Sequence, residues 1–152
     1  MKLQKYEKID MAKQMLETAL RLFKEGNDYF SVLQITSASE EILGKYLKSK
    51  RIKNSLDLNA EAFVLLRKKL SGKKDKIGEA KYILNKPRNS GKHMNEKDSQ
   101  DFFVFTDPRY DAEEMLERAI ENWRKLNGVV SSSMEEFLIS VEKNLGTEFK
   151  QI

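Results

Sequence analysis

Apolar residues recur three and four positions apart along most of this chain, the spacing that lines one face of an α-helix. Over residues 3–24, Ile9, Ala12, Leu16, Ala19, Leu20 and Phe23 form one stripe, and Gly26 ends the helix they predict. Asn27 or Asp28 can cap a second helix, in which Val32, Ile35, Ser39, Ile42, Leu43, Tyr46 and Leu47 keep the same period to about residue 50. The short connection makes these two helices antiparallel neighbours. A shorter helix is predicted over residues 60–70, with Asn59 as its cap and Phe63, Leu66 and Leu70 on one face. Residues 67–76 carry six bases and one acid around Gly72 and read as an exposed loop. Helical pattern returns at Ile77, Ala80, Ile83 and Leu84 and breaks at Pro87, whose ring disfavours helical geometry at Lys86.

Residues 101–105 form a short aromatic run, read as an extended strap laid on the core, with a strand turn as the alternative. Asp107 before Pro108 is an N-cap with proline at the first helical position, and Ala112, Met115, Leu116, Ala119, Ile120, Trp123 and Leu126 give the clearest stripe in the chain. Gly128 ends that helix. A last one is predicted over residues 134–145, with Ser131, Ser132 and Ser133 and the glutamates Glu135 and Glu136 supplying a capping box. The expected fold is therefore an all-α, up-and-down bundle with an additional short helix and a C-terminal helix. Residues 1–128 form the bundle, and residues 129–152 pack on the same domain.

Composition narrows the chemistry. The chain has 152 residues, enough for one hydrophobic core, and no cysteine, which excludes a disulfide framework and thiolate zinc sites. A single histidine and no aspartate-rich loop leave no expected metal site or cofactor. The opening MKLQKYEKID mixes charged and apolar residues, and no apolar run reaches membrane-spanning length, so a soluble cytoplasmic protein is expected. The net charge of +4 hides a segregation: residues 45–92 hold fifteen Lys and Arg against four acids, a balance of +11, and the remainder carries −7. Such a basic middle can face a polyanion, with Lys68, Lys69, Lys73, Lys74, Lys86 and Lys92 as candidate nucleic-acid contacts, or it can simply be solvated.

The segment Arg88-Asn89-Ser90-Gly91-Lys92-His93 gathers groups suited to phosphate and proton handling at a helix break. Arginine offers a planar donor fork to phosphate oxygens, and histidine titrates near neutrality. The residues alone leave bland alternatives open. His93 can cap a helix, and Arg88 can pair with Asp98 or Asp101 and pin the loop. Trp123, Phe102, Phe103 and Phe105 read as core instead of base-stacking platforms, and Glu40 and Glu41 as an exposed helix face.

Ala38-Ser39-Glu40-Glu41-Ile42-Leu43-Gly44-Lys45-Tyr46-Leu47, after a first helix, a glycine turn and Tyr29-Phe30, resembles the second helix of the HEPN superfamily, and Arg88-Asn89 to His93 resembles its signature. The likeness spans residues 3–126. It implies an up-and-down bundle, commonly a homodimer, in defence, toxin–antitoxin or RNA-processing settings, and for many members a metal-independent endoribonuclease. Carried onto this chain, Arg88 would hold the scissile phosphate, His93 would transfer protons, and Asn89 would orient one of them. Lys92 would act only electrostatically. The chemistry would be attack of a ribose 2′-hydroxyl on the adjacent phosphate, and two copies would together supply base and acid. An antitoxin or nucleotidyltransferase-type partner is also implied, although Asn95 stands where members silenced by modification carry a tyrosine. Other members are non-catalytic binding or scaffold partners, for a nucleotide, RNA or a nucleotidyltransferase, and that is the alternative reading.

Overall fold

A computed structural model describes residues 3–92 and 103–148, with side chains as far as residue 143. Those residues form an all-α bundle of seven helices and contain no strand. They run α1 (Lys8–Glu25), α2 (Tyr29–Ser49), α3 (Ser55–Ser71), α4 (Ile77–Leu84), α5 (Lys86–Ser90), α6 (Pro108–Lys125) and α7 (Ser132–Glu148). Among the described residues no helix is long and apolar enough to cross a membrane.

The helix ends follow local chemistry. Gly26, in the left-handed region at φ 74°, returns its N–H to the carbonyls of Leu22 and Phe23 and turns the chain out of α1. Asp28 accepts from the Ser31 N–H at the start of α2, and Asp107 accepts from the N–H groups of Arg109 and Tyr110 at the start of α6, ahead of Pro108. The Ser131 hydroxyl accepts from the Met134 N–H at the entrance to α7.

Three expectations about elements need correction. Residues 3–7 lie before α1 and not within it. The third helix starts five residues earlier than predicted, because Asn54, and not Asn59, accepts from the Asp57 N–H. It also continues through Arg67, Lys68, Lys69, Leu70 and Ser71 to a left-handed Gly72, so the first half of the expected basic loop is helix. Finally, Phe103, Val104 and Phe105 have no regular structure and lie exposed, Phe105 at 96%, so these residues are not a strap on the core; Asp101 and Phe102 lie outside the described residues.

The core sits where α2 packs along α6, with α1 against both and α7 against α1. Leu16, Leu33, Leu43, Leu47, Leu116, Ile120 and Met134 are fully buried within it. Ser39 ties the middle of α2 to the first half of α1 by donating to the Ala12 carbonyl at 2.7 Å, consistent with antiparallel helices. Phe23 meets Tyr29 and Phe137 edge to face, with centroids 5.4 and 5.3 Å away. Trp123 is half-buried against the core, as expected; its indole N–H donates to the Val129 carbonyl at 3.0 Å. Gly128 lies flat on that ring, where an added Cβ would fall 2.1 Å from an indole carbon. The α3–α4 hairpin packs on itself and on α6 at the side of the bundle, and α5 bridges α4 to α2.

Removing a methylene cluster from a close-packed interior costs its transfer energy plus a cavity, so Leu116→Ala is expected to lower unfolding free energy by about 2–5 kcal/mol. Phe105→Ala, at an exposed position, is expected to change it by no more than about 0.5 kcal/mol. Urea unfolding followed by circular dichroism reads both.

Candidate functional site

Asn85 breaks the helical run between α4 and α5. Its side chain does not cap α5, yet its backbone carbonyl accepts from the Asn89 N–H at 3.0 Å. Pro87 sits in the first turn of α5, where a missing N–H costs nothing. The five residues of α5 contact both α4 and α2 and carry Arg88 to α2.

Arg88 is clamped there. Its Nη2 donates to Glu41 Oε2 at 2.6 Å, and its Nη1 lies 3.8 Å from Glu40 Oε2. Only 17% of the Arg88 side chain is exposed, and its Nε is buried without a hydrogen-bond partner among the described residues. Glu40 is 2% exposed and lies deeper. Its Oε1 accepts from Arg118 Nη2 at 3.0 Å, and the Asn122 side-chain amide approaches the same oxygen at 3.5 Å. Arg118 also donates to the Leu84 carbonyl and to Asn85 Oδ1, so the α4–α5 break is tied to α6. Asn122 in turn accepts from the Ser55 N–H at 2.8 Å and anchors the start of α3. The expectation that Glu40 and Glu41 form an exposed helix face is thus corrected: Glu40 is buried and Glu41 half-buried, because Arg118 and Arg88 supply donors that make those positions tolerable. Arg88 does pair with acids, on α2.

Around this clamp the charges press on one another. The Lys45 ammonium, bonded to Glu41 at 2.6 Å, holds that carboxyl below the usual glutamate range; burial opposes the shift, and Arg88 and Lys92 add to it. Burial pushes the Lys92 ammonium down from its ordinary value, the neighbouring Arg88 pushes it further, and Glu41 offsets part of this. Gly91 lies against the Gln34 amide on α2, and a Cβ there would sit 2.3 Å from Gln34 Nε2.

The predicted site residues divide into groups. Lys86, Arg88, Asn89 and Lys92 share α5 and the turn after it, with Asn89 half-buried and both lysines exposed. His93 lies outside the described residues. Lys68, Lys69, Lys73 and Lys74 are on a different part of the molecule, the end of α3 and the turn to α4, where Lys73 faces Asp75 at 3.9 Å and Arg67 binds the same carboxylate at 3.1 Å. Among the described residues no group of three or more His, Asp or Glu side chains is placed to hold a metal ion.

Arg118, Asn122 and Asn85 were not singled out from sequence, and Glu40 was read as exposed. A signal existed: Glu40 continues the buried run Val32, Thr36, Leu43 and Leu47, and Arg118 and Asn122 continue Met115 and Ala119. Charged residues in register with an apolar stripe on two helices are candidates for each other. No protein-family model, curated protein or solved structure matches the chain.

Two outcomes follow from the clamp. Arg118→Ala leaves the Glu40 carboxylate buried without its strongest donor and is expected to cost about 3–5 kcal/mol, part of which Glu40→Gln in the same chain restores. Chemical denaturation of the single and double variants measures this. Glu41, with a lowered folded-state pKa, contributes stability that is complete above the ordinary glutamate range and is lost as pH falls through the lowered value. Glu41→Gln is therefore expected to flatten the acid limb of the stability–pH curve, an effect kept modest by solvent screening of this partly exposed group.

Proposed function

We propose that the chain is a metal-independent endoribonuclease that cleaves RNA by attack of a 2′-hydroxyl on the adjacent phosphate, a toxin or defence effector in the sense its resemblance to the HEPN superfamily implies. The observation that carries the reading is the crowding of cations around Glu41: Arg88 and Lys45 each bond its carboxylate at 2.6 Å, and Lys92, in the turn after α5, lies near enough to Arg88 for the two to repel. An arriving phosphate would relieve that repulsion, and Arg88 is held with little rotamer freedom left to lose. In this reading Arg88 stabilises charge developing on the phosphate, Asn89 orients a proton, and His93 transfers it. Lys86 and Lys92 extend the basic surface beside Arg88, and Lys68, Lys69, Lys73 and Lys74 offer the RNA backbone a second contact at the end of α3. One histidine per chain cannot serve easily as both base and acid, so the active species is a homodimer with two copies of the motif, open to silencing by an antitoxin.

One observation favours the second reading, a non-catalytic helical binding partner. The Arg88 fork is already engaged by Glu41 at 2.6 Å, as expected of an arginine that shapes a surface for an anion without reacting with it.

The readings part on His93. For a ribonuclease, His93→Ala is expected to abolish cleavage with RNA affinity largely kept, since a lost proton-transfer group acts on the transition state. Arg88→Ala is expected to damage both. Cleavage is expected to persist in EDTA and to leave cyclic-phosphate or 3′-phosphate ends with 5′-hydroxyls. Intact RNA across a broad panel, or His93→Ala cutting as well as wild type, rejects the ribonuclease and leaves the binding partner.

A further inference from the structure

A cavity of about 560 Å³ opens at one end of the bundle, between the end of α1, the starts of α2 and α6, and α7. Its wall is largely apolar. Leu20 and Phe137 are buried there and Phe23 and Tyr29 half-buried, with the Phe23 ring edge to face on the other two rings. A space of this size, with an apolar wall and a few convergent polar groups, is the form that small-molecule sites take. Tyr29 precedes Glu41 by twelve residues of α2, about 18 Å at the helical rise. The cavity is therefore separate from the Arg88 clamp.

The charges at its rim select the ligand. Arg21, Lys24, Arg109 and Glu136 all line the cavity, and three of them are already matched. Arg21 bonds Glu25 at 2.7 Å, and Lys24 bonds Glu136 at 2.9 Å. Arg109 makes no ion pair among the described residues. The acids near it in α6 are engaged elsewhere: Asp107 accepts from the N–H groups of Arg109 and Tyr110, and Asp111 accepts from the Thr106 hydroxyl. The Tyr29 hydroxyl likewise has no hydrogen-bond partner among the described residues. Gly26 carries no side chain to cover it, where an added Cβ would already lie 3.5 Å from that oxygen. One open guanidinium, one open hydroxyl and three rings suit a flat apolar body with a single negative charge. A guanidinium fork matches a carboxylate with two parallel hydrogen bonds, and aromatic side chains gain from another ring set at their edge or face.

We infer that this cavity is a binding site for an aromatic monocarboxylate, whose ring lies against Phe23, Tyr29 and Phe137 and whose carboxylate is held by Arg109 and the Tyr29 hydroxyl. A polyanion is a poor fit, since the rim has one open cation and Glu136 repels further negative charge. The ligand would touch α2 through Tyr29, α6 through Arg109 and α7 through Phe137, so its binding would also stabilise the docking of these helix ends. None of the residues assigned to RNA cleavage takes part, and the inference is independent of that reading.

The test is calorimetric titration of the full chain with naphthalene-2-carboxylate as the probe. One site per chain is expected, with a dissociation constant of about 0.1 mM for a ligand of this size. Naphthalene-2-carboxamide, of the same shape without the charge, is expected to bind at least about tenfold more weakly. Arg109→Gln, at an exposed position, is expected to weaken the carboxylate about tenfold and to leave the carboxamide unchanged. Ser140→Phe places a ring in the cavity from an exposed position on α7 and is expected to weaken both probes at least about tenfold, with helicity unchanged by circular dichroism. No binding at about 1 mM carboxylate, which is well above the expected constant, would overturn the inference. So would a carboxamide that binds as tightly as the carboxylate, or full carboxylate affinity in the Arg109→Gln chain or in a folded Ser140→Phe chain.

Discussion

A carboxylate buried in the middle of a helical bundle must find donors or unfold its surroundings, and Glu40 sets that constraint here. α2 cannot satisfy it alone, since the N–H groups of a helix interior are already spent on the preceding turn. The donors come from Arg118 and Asn122 on α6, while the Arg88 guanidinium of α5 adds positive charge at 3.8 Å. One side chain thereby fixes the mutual register of elements far apart in the sequence. Arg118 extends the arrangement through the Leu84 carbonyl and Asn85 Oδ1, and Asn122 through the first N–H of α3. An apolar residue of similar volume at this position could pack as well and would specify far less about where α4, α5 and α3 attach. Buried polar networks of this kind trade some stability for a defined geometry.

Adjacent residues on a helix point about 100° apart, and this gives Glu40 and Glu41 different surroundings. Glu40 faces the interior and is matched mainly by Arg118. Glu41 faces sideways, partly in water, and is shared by Lys45 and Arg88. Arg88 touches the edge of the buried network with one nitrogen and a half-exposed carboxylate with another, so the candidate site is anchored by the core without being enclosed by it. A site supported in this way keeps its arginine in place while the partner facing solvent remains exchangeable.

Most helix limits were legible because they depend on local chemistry: Asp28, Asp107 and Gly26 act within a turn of themselves. The start of α3 was not, because Asn54 and Asn59 are equally good caps in isolation, and what distinguishes them is the Ser55 N–H after Asn54, which donates to Asn122 sixty-seven positions away. Lys68 and Lys69 fell both in the helix predicted over residues 60–70 and in the basic loop read over residues 67–76, and it is the helix that holds, as far as Ser71. The candidate site was half legible. Arg88 and its neighbours stand out as a run, whereas Glu40 was read as part of an exposed face by the ordinary rule that charge stays outside, and Arg118 was not singled out at all. That rule fails where two stripe positions of opposite sign meet across an interface, an event no single-helix pattern reveals.

Trp123 is the single tryptophan of the chain and sits where α6 ends, its ring pressed flat by Gly128 and its N–H held by the Val129 carbonyl. Lys13 of α1 lies 5.7 Å from the centre of the same ring. The indole is therefore a built-in optical gauge of one corner, where α1, α6 and the turn into α7 meet, and its emission follows the docking of that corner separately from events at α5.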